Sequence, residues 1–229
     1  MDQRQAAVAG LRGRVVLIRH GQTRCTVQGR FCGAHEGELT EVGREMAGLA
    51  ALHPALEGIG AVVSSPATRA VHTAEAIAAA RGLPVLLDER LRELSFGEWE
   101  DRLPGDVEDR QALERWESDP ALFTPPGGES GLEVAARAVA AVRDAALAAP
   151  AVAVITHKAP VRLVLSFFLG LPPSRYREIG NVAVGSVSHL HMKGDRTVLK
   201  AIGDVSHLPK EWRGNPDLAA PLRLPEGAR

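Results

Sequence analysis

Arg14-Val15-Val16-Leu17-Ile18-Arg19-His20-Gly21 sets the frame for the whole chain. Four consecutive apolar residues, three of them β-branched, suit a strand buried on both faces. The run then stops on a cation, an imidazole and a glycine. A strand apolar on both sides needs helices above and below it, which is the environment of a parallel α/β sheet.

The flanking sequence follows that rhythm. Thr40 precedes a helical pattern from Glu41 to Leu52, and Ala61-Val62-Val63 reads as a second strand. Ser65 and Pro66 then serve as N-cap and first residue of a helix running to Arg81, closed by Gly82. Pro84 to Leu87 gives a third strand. Ser130-Gly131-Leu132-Glu133 is a capping box opening a helix to about Ala149. Val152 to Ile155 is a fourth strand, followed by a helix from about Pro160 to Leu169 that Gly170 ends. Val184 to Met192 alternates in polarity, with a further strand near Thr197 to Ala201 and a turn at Lys193-Gly194-Asp195. The expectation is an α/β fold, a three-layer α/β/α sandwich on a mostly parallel sheet. Residues 1–13 read as a frayed extension, 14–208 as one catalytic domain and 209–229 as a surface tail. Within the domain, residues 95–128 break the alternation and read as a cap-like excursion over the sheet.

Composition narrows the function. At 229 residues and 45% hydrophobic, the chain can bury a sizeable core. Lys and Arg (27) nearly cancel Asp and Glu (28), so no global field draws it to nucleic acid or a membrane surface. No apolar run approaches the ~20 residues of a membrane-spanning helix, and Val15 to Ile18 is too short for a secretory signal core. A cytoplasmic location is expected. Cys25 and Cys32 are too few for a disulfide framework and lack metal-ligand spacing. Only Lys158, Lys193, Lys200 and Lys210 are lysines; the other basic residues are arginines, whose planar forks suit phosphate, although the base composition of a gene can produce the same bias.

Open parallel sheets bind ligands beyond the carboxyl ends of their strands. Past the first strand stand Arg19, His20 and Gly21. Past the second come Ser64, Ser65 and then Arg69; past the third, Glu93; past the fourth, His157 and Lys158. Each alone has an ordinary structural explanation, such as a hydrogen-bonded histidine or a surface ion pair. Together, at separate strand ends beside two helix starts, they describe an electropositive pocket sized for one phosphoryl group.

The same residues resemble the histidine phosphatase superfamily, with its phosphoglycerate mutase-like fold. The resemblance runs through Arg19-His20-Gly21-Gln22-Thr23, Gly33, Leu39 to Gly43, Ser64 to Ala70 with Thr73-Ala74-Glu75, Leu91 to Glu100, Pro126 to Ser130 and Thr156-His157. It implies that His20 accepts the phosphoryl group, that Arg19, Arg69 and His157 bind its oxygens, and that Glu93 is the general acid. Gly21, Gln22, Thr23, Thr26 and Gly33 fall at substrate-binding positions. No metal or cofactor is implied. Where many relatives have Trp-Asn, this chain has Cys25-Thr26, so a hydroxyl replaces an amide at the phosphate. Lys158 replaces a common glycine and offers a cation for a second acidic group on the substrate, or else points to solvent.

Leu91-Arg92-Glu93-x-x-Phe96-Gly97-x-Trp99-Glu100 resembles the phosphatase branch, which implies hydrolysis of a small phosphorylated metabolite. Transfer to a second sugar-acid hydroxyl, as in a mutase, and a silent phospho-ligand binding relative are the alternatives. Phe31, Trp99, Leu103, Trp116 and Phe123 either line an apolar wall or pack the excursion onto the sheet. His72 either faces the pocket or packs under the next strand; His35, His189, His191 and His207 read as structural or exposed. Alternating strands near the C-terminal edge leave a homodimer open.

Overall fold

A computed structural model describes residues 10–34, 37–180, 182–194 and 196–218. Six strands form one sheet: β1 (Arg12–Arg19), β2 (Ala61–Ser64), β3 (Val85–Leu87), β4 (Ala151–Thr156), β5 (Val187–Lys193) and β6 (Thr197–Asp204). Their order across the sheet is β3-β2-β4-β1-β5-β6, with the first four parallel and the last two antiparallel. The helices are α1 (Arg24–Gln28), α2 (Glu41–Ala50), α3 (Thr68–Ala79), α4 (Arg110–Ser118), α5 (Gly131–Ala148) and α6 (Lys158–Leu169).

Side-chain alternation along the central strands builds the layers. Val15, Leu17, Val152 and Val154 pack with Ala138, Val142, Val161 and Val164 of α5 and α6. Val16, Ile18, Ala153 and Ile155 point the other way, onto Ala70, Ala74 and Ile77 of α3. Both faces of the apolar runs are therefore consumed, as a doubly covered sheet requires. Ser130 forms the expected capping box with Glu133, and Gly170 closes α6 in the left-handed conformation.

Several boundaries differ from the sequence reading. The helix after β2 starts at Thr68 rather than Pro66, because Ser65 turns its hydroxyl to the backbone of Ala67 and the ring of His157. β5 begins at Val187 because Val182 to Ser186 form a buried turn that bonds back onto Arg19 and His20. Leu11 is buried and β1 starts at Arg12, so the expected frayed extension stops short of both; residues 1–9 lie outside the described ones. The expected surface tail is corrected as well. Leu208 and Trp212 are buried against Val42, Met46 and Val184, and a short turn at Pro216–Leu218 follows.

The excursion has a small core of its own, in which Phe31, Trp99, Val107, Leu113 and Trp116 pack together. Trp99 thus packs the excursion, whereas Phe123 is exposed. Its base is pinned where Gly97, at φ 53°, lies against the backbone of Gly127 and Gly128. Among the described residues no helix is long and apolar enough to cross a membrane.

Helix α2 meets the loop after β1 backbone to backbone. A Cβ on Gly43 would overlap the carbonyl of Gln22, and one on Gly21 would overlap that of Gly43. Gly48, on the same helix, has nothing within 4 Å of an added Cβ. Gly48→Ala should therefore raise stability by about 0.5–1 kcal/mol through helix propensity. Gly43→Ala should instead lower it by about 1–3 kcal/mol, since neither backbone can yield easily. Urea unfolding of the two variants checks the opposite signs.

Candidate active site

The parallel register decides which residues meet. Arg19 of β1 pairs with Thr156 of β4, and Ser64 of β2 pairs with Ile155. Main-chain bonds continue one residue further, from the N–H of His20 to the Thr156 carbonyl (3.0 Å) and from that of Ser65 to the Ile155 carbonyl (2.9 Å). Neighbouring strands thus deliver His20, His157 and Ser65 to one level, and the two imidazole centroids lie 5.1 Å apart.

Hydrogen bonding fixes the ring of His20. Its Nδ1 lies 2.8 Å from the Gly21 carbonyl. A carbonyl can only accept, so Nδ1 carries the proton and Nε2 keeps its lone pair. Burial, followed by the guanidiniums of Arg69 and Arg19, holds the His20 pKa well below its ordinary 6.5, against a smaller opposing effect of the Gly21 carbonyl. The neighbouring cations contribute, but burial is the larger cause.

His157 is fully buried, its Nε2 lying 2.8 Å from Ser65 Oγ. The serine oxygen also accepts the Ala67 N–H at 3.3 Å, and with a second lone pair and its own proton it can meet either tautomer of the imidazole. The Nδ1 of His157 has no partner within the described chain. Arg19 donates from Nη1 to the Val182 carbonyl at 2.9 Å, and its Nε is likewise unpartnered. Arg69, in the first turn of α3, donates from Nη2 to the Gly33 carbonyl at 2.8 Å.

Glu93 follows the short turn after β3. One oxygen accepts from the N–H groups of Leu94 and Ala159, and the other from that of Lys158 at the start of α6. These bonds and the two arginines favour the carboxylate, but burial outweighs them and raises the Glu93 pKa. Behind it Arg137, from α5, donates to the carbonyls of Arg90, Arg92 and Glu93 and pairs with Glu129 at 2.8 Å. Thr156 Oγ1 donates to the Leu91 carbonyl at 2.6 Å. Arg137 is thus a positioning residue that the sequence reading missed. Its signal was an arginine on the buried stripe Val134, Ala138, Ala141 of an Ala-rich helix.

All of this opens into a cavity of about 390 Å³, within the range for a small ligand. Arg19, His20, Arg69, Glu93, Thr23, Thr26 and Lys158 lie in its wall, and His157 stands immediately behind. Gly21, Gln22 and Gly33 do not line it. The Gly21 N–H goes to Thr73 Oγ1, Gln22 Nε2 donates to the Asp217 carbonyl, and Gly33 donates to Glu100. Thr26 gives its hydroxyl proton to the Thr23 carbonyl and accepts the Thr23 N–H, so it closes a cap rather than replacing a phosphate-binding amide.

Cys25 and Cys32, read as forming no disulfide framework, stand side by side at the cavity rim, their Cα atoms 6.4 Å apart. Trp116 reaches the cavity from the excursion and Phe31 from the loop after α1, whereas His72, His189, His191 and His207 do not line it. His35 lies outside the described residues. Asp217, unexpected from sequence, reaches in from the C-terminal turn to accept from Val184 N–H at 3.0 Å and to sit 3.5 Å from Arg19 Nη1. Among the described residues, no three His, Cys, Asp or Glu side chains cluster as a metal centre would need.

Comparison with known proteins agrees with this geometry. The histidine phosphatase superfamily (branch 1) matches over residues 15–205. A bifunctional protein of Mycobacterium tuberculosis is 39% identical over 169 residues, covering 70% of this chain. The chain spans about half of that relative's length, 46%. A glucosyl-3-phosphoglycerate phosphatase of Mycolicibacterium vanbaalenii is 32% identical over 79% of this chain and 84% of its own. The solved structure of Bacillus stearothermophilus YhfR superposes with a TM-score of 0.80 at 29% identity, covering 85% of this chain and 98% of its own.

Buried and half-buried histidines also set an acid limit on the fold. His20, His157 and His191 have lowered pKa values, and those of His189 and His207 fall to about 4. The unfolded chain takes up these protons near pH 6.5 and the folded one does not, so stability is lost as pH falls below about 6.5. Glu93, with a raised pKa, acts in the opposite sense, but as one group against five. Denaturant unfolding should give a clearly smaller free energy at pH 5.5 than at pH 7.5. An unchanged value would refute the assignment of neutral, buried imidazoles.

Proposed function

The chain belongs to the histidine phosphatase superfamily, and from that premise we propose that it hydrolyses small phosphomonoesters through a phosphohistidine on His20. The observation that carries this reading is the pairing, in one cavity, of an Nδ1-protonated imidazole with two arginines and a carboxyl of raised pKa. The kinship with a glucosyl-3-phosphoglycerate phosphatase supports the same reaction class.

In this mechanism the phosphoryl oxygens lie against Arg19, Arg69 and the unpartnered Nδ1 of His157, where charge is held as the transferring group loosens. His20 Nε2 attacks phosphorus and the bond to the leaving oxygen breaks. Glu93, whose raised pKa favours its acid form, gives that oxygen its proton. The resulting carboxylate then takes a proton from water as the water attacks phosphorus, and His20 departs neutral. Return of the phosphoryl group to a second bound hydroxyl, a mutase reaction, would use the same first half.

Turnover of p-nitrophenyl phosphate and a panel of sugar and glycerate phosphates tests the proposal. His20→Ala should abolish release of phosphate, and quenched wild-type protein should carry an acid-labile, base-stable label on His20. Glu93→Gln should slow alkyl phosphates by about 10²–10⁴-fold. Its effect on p-nitrophenyl phosphate should be much smaller, because that leaving group needs little protonation. Isomerisation without net release would favour the mutase instead.

A further inference from the structure

We infer that Lys158, Arg162 and Arg177, with Tyr176, form a second anion subsite, which binds an acidic group carried on the leaving-group side of the substrate. The inference rests on the phosphatase reading for its direction and adds a substrate class: phosphomonoesters that bear a further carboxylate or phosphate.

The first argument is charge. Six cations, Arg19, Arg30, Arg69, Lys158, Arg162 and Arg177, stand in the cavity wall against two carboxylates, Glu93 and Asp217. Arg19 and Arg69 face the reacting imidazole, and Asp217 sits beside Arg19. Arg30 lies 3.9 Å from Asp101. Glu93 accepts the main-chain N–H groups of Leu94, Lys158 and Ala159. Lys158, Arg162 and Arg177 remain, and none forms an ion pair with a described residue. Arg162 reaches only the Gly180 carbonyl and Arg177 the Glu117 carbonyl, both at 3.2 Å, while Arg162 Nε is buried without a partner.

The second argument is cost. Lys158 is the first residue of α6, where the helix dipole disfavours a cation. Arg162 follows at i+4, so two like charges share one helix face. Both are half-buried: burial, then Arg19 and Arg162, lower the Lys158 pKa, and burial, then Arg19 and Arg177, lower that of Arg162. Arg177 arrives from the turn at Pro173–Glu178, its guanidinium 4.2 Å from the centre of the Trp116 ring and beside the buried Tyr176 hydroxyl. Apart from the contact of Arg177 with the Trp116 ring, the fold gains nothing from gathering these charges. An anionic ligand would offset their mutual repulsion.

The third argument is position. Glu93, the proton donor to the leaving oxygen, accepts hydrogen bonds from the N–H groups of Lys158 and Ala159. The leaving oxygen therefore lies at the foot of the wall that Lys158 and Arg162 continue along α6. A cavity of about 390 Å³ exceeds one phosphoryl group, and its remainder is where the rest of the substrate must lie.

The test uses three ligands that differ at one carbon: glycerol 3-phosphate, 3-phosphoglycerate and glycerol 1,3-bisphosphate. Dissociation constants are measured by calorimetry on full-length His20→Ala protein, which does not consume them, alone and combined with Lys158→Met or Arg162→Met. Turnover is measured in parallel on wild-type protein. At least one dianionic-plus-acid ligand should bind about 10- to 100-fold more tightly than glycerol 3-phosphate, a gap that either methionine substitution closes by about tenfold. The ligand with the larger gap identifies carboxylate or phosphate as the occupant. Equal affinity for all three, or a gap that both substitutions leave intact, overturns the subsite. Turnover without discrimination removes the subsite and leaves the phosphatase reading standing; discrimination without turnover does the reverse.

Discussion

The site depends on one constraint, the parallel register of β1 and β2 on either side of β4. Because Arg19 lies beside Thr156 and Ser64 beside Ile155, the residues that follow each strand must emerge together. Peptide geometry then leaves little choice about which side chains meet. A shift of one residue in either pairing would turn each strand's apolar set to the opposite layer, since side chains alternate with period two. Those layers are fully packed, with Val15 and Leu17 committed to one and Val16 and Ile18 to the other. The hydrophobic core thus enforces the position of the His20 imidazole beyond its own edge.

Around that point the protein sustains an electrostatic arrangement that folding alone would not select. Arg19, His20, Arg69 and His157 are all buried, and the imidazoles remain neutral largely because burial penalises their charged form. The arginines cannot lose their protons, so main-chain carbonyls of Val182 and Gly33 hold their forks in place. Carbonyls orient a guanidinium without neutralising it, and Asp217, 3.5 Å from Arg19, is the nearby counter-charge. Arg137 works differently. It bonds three carbonyls and a carboxylate behind Glu93 and fixes the loop that carries it.

Much of this was legible in the chain because it is local. The run Val15 to Ile18, the capping box at Ser130 and the glycine after Leu169 each specify their element within a few residues, and the structure keeps all three. The convergence of Arg19, His20, Arg69, Glu93 and His157 was readable from strand ends alone. What could not be read depends on distant partners. Gln22 sits among signature residues, yet its amide serves the turn at Pro216 and Asp217, nearly two hundred residues away. Trp212 looked like tail and is buried on α2. Thr26 was read against the amide it replaces, whereas its hydroxyl is used up by Thr23, three residues earlier.

The same distinction explains why the chemistry was easier to read than the substrate. Phosphoryl transfer asks for a few groups in fixed geometry, and strands deliver them rigidly. The rest of the cavity wall draws on surfaces from four separate places: the rim around Cys25 and Cys32, the excursion with Phe96 and Trp116, the start of α6, and the turn that carries Tyr176 and Arg177. None of these is periodic, and no one of them is a site by itself. Only their assembly reveals that one wall is aromatic and the adjoining one cationic, a contrast that a neutral alcohol would leave unused.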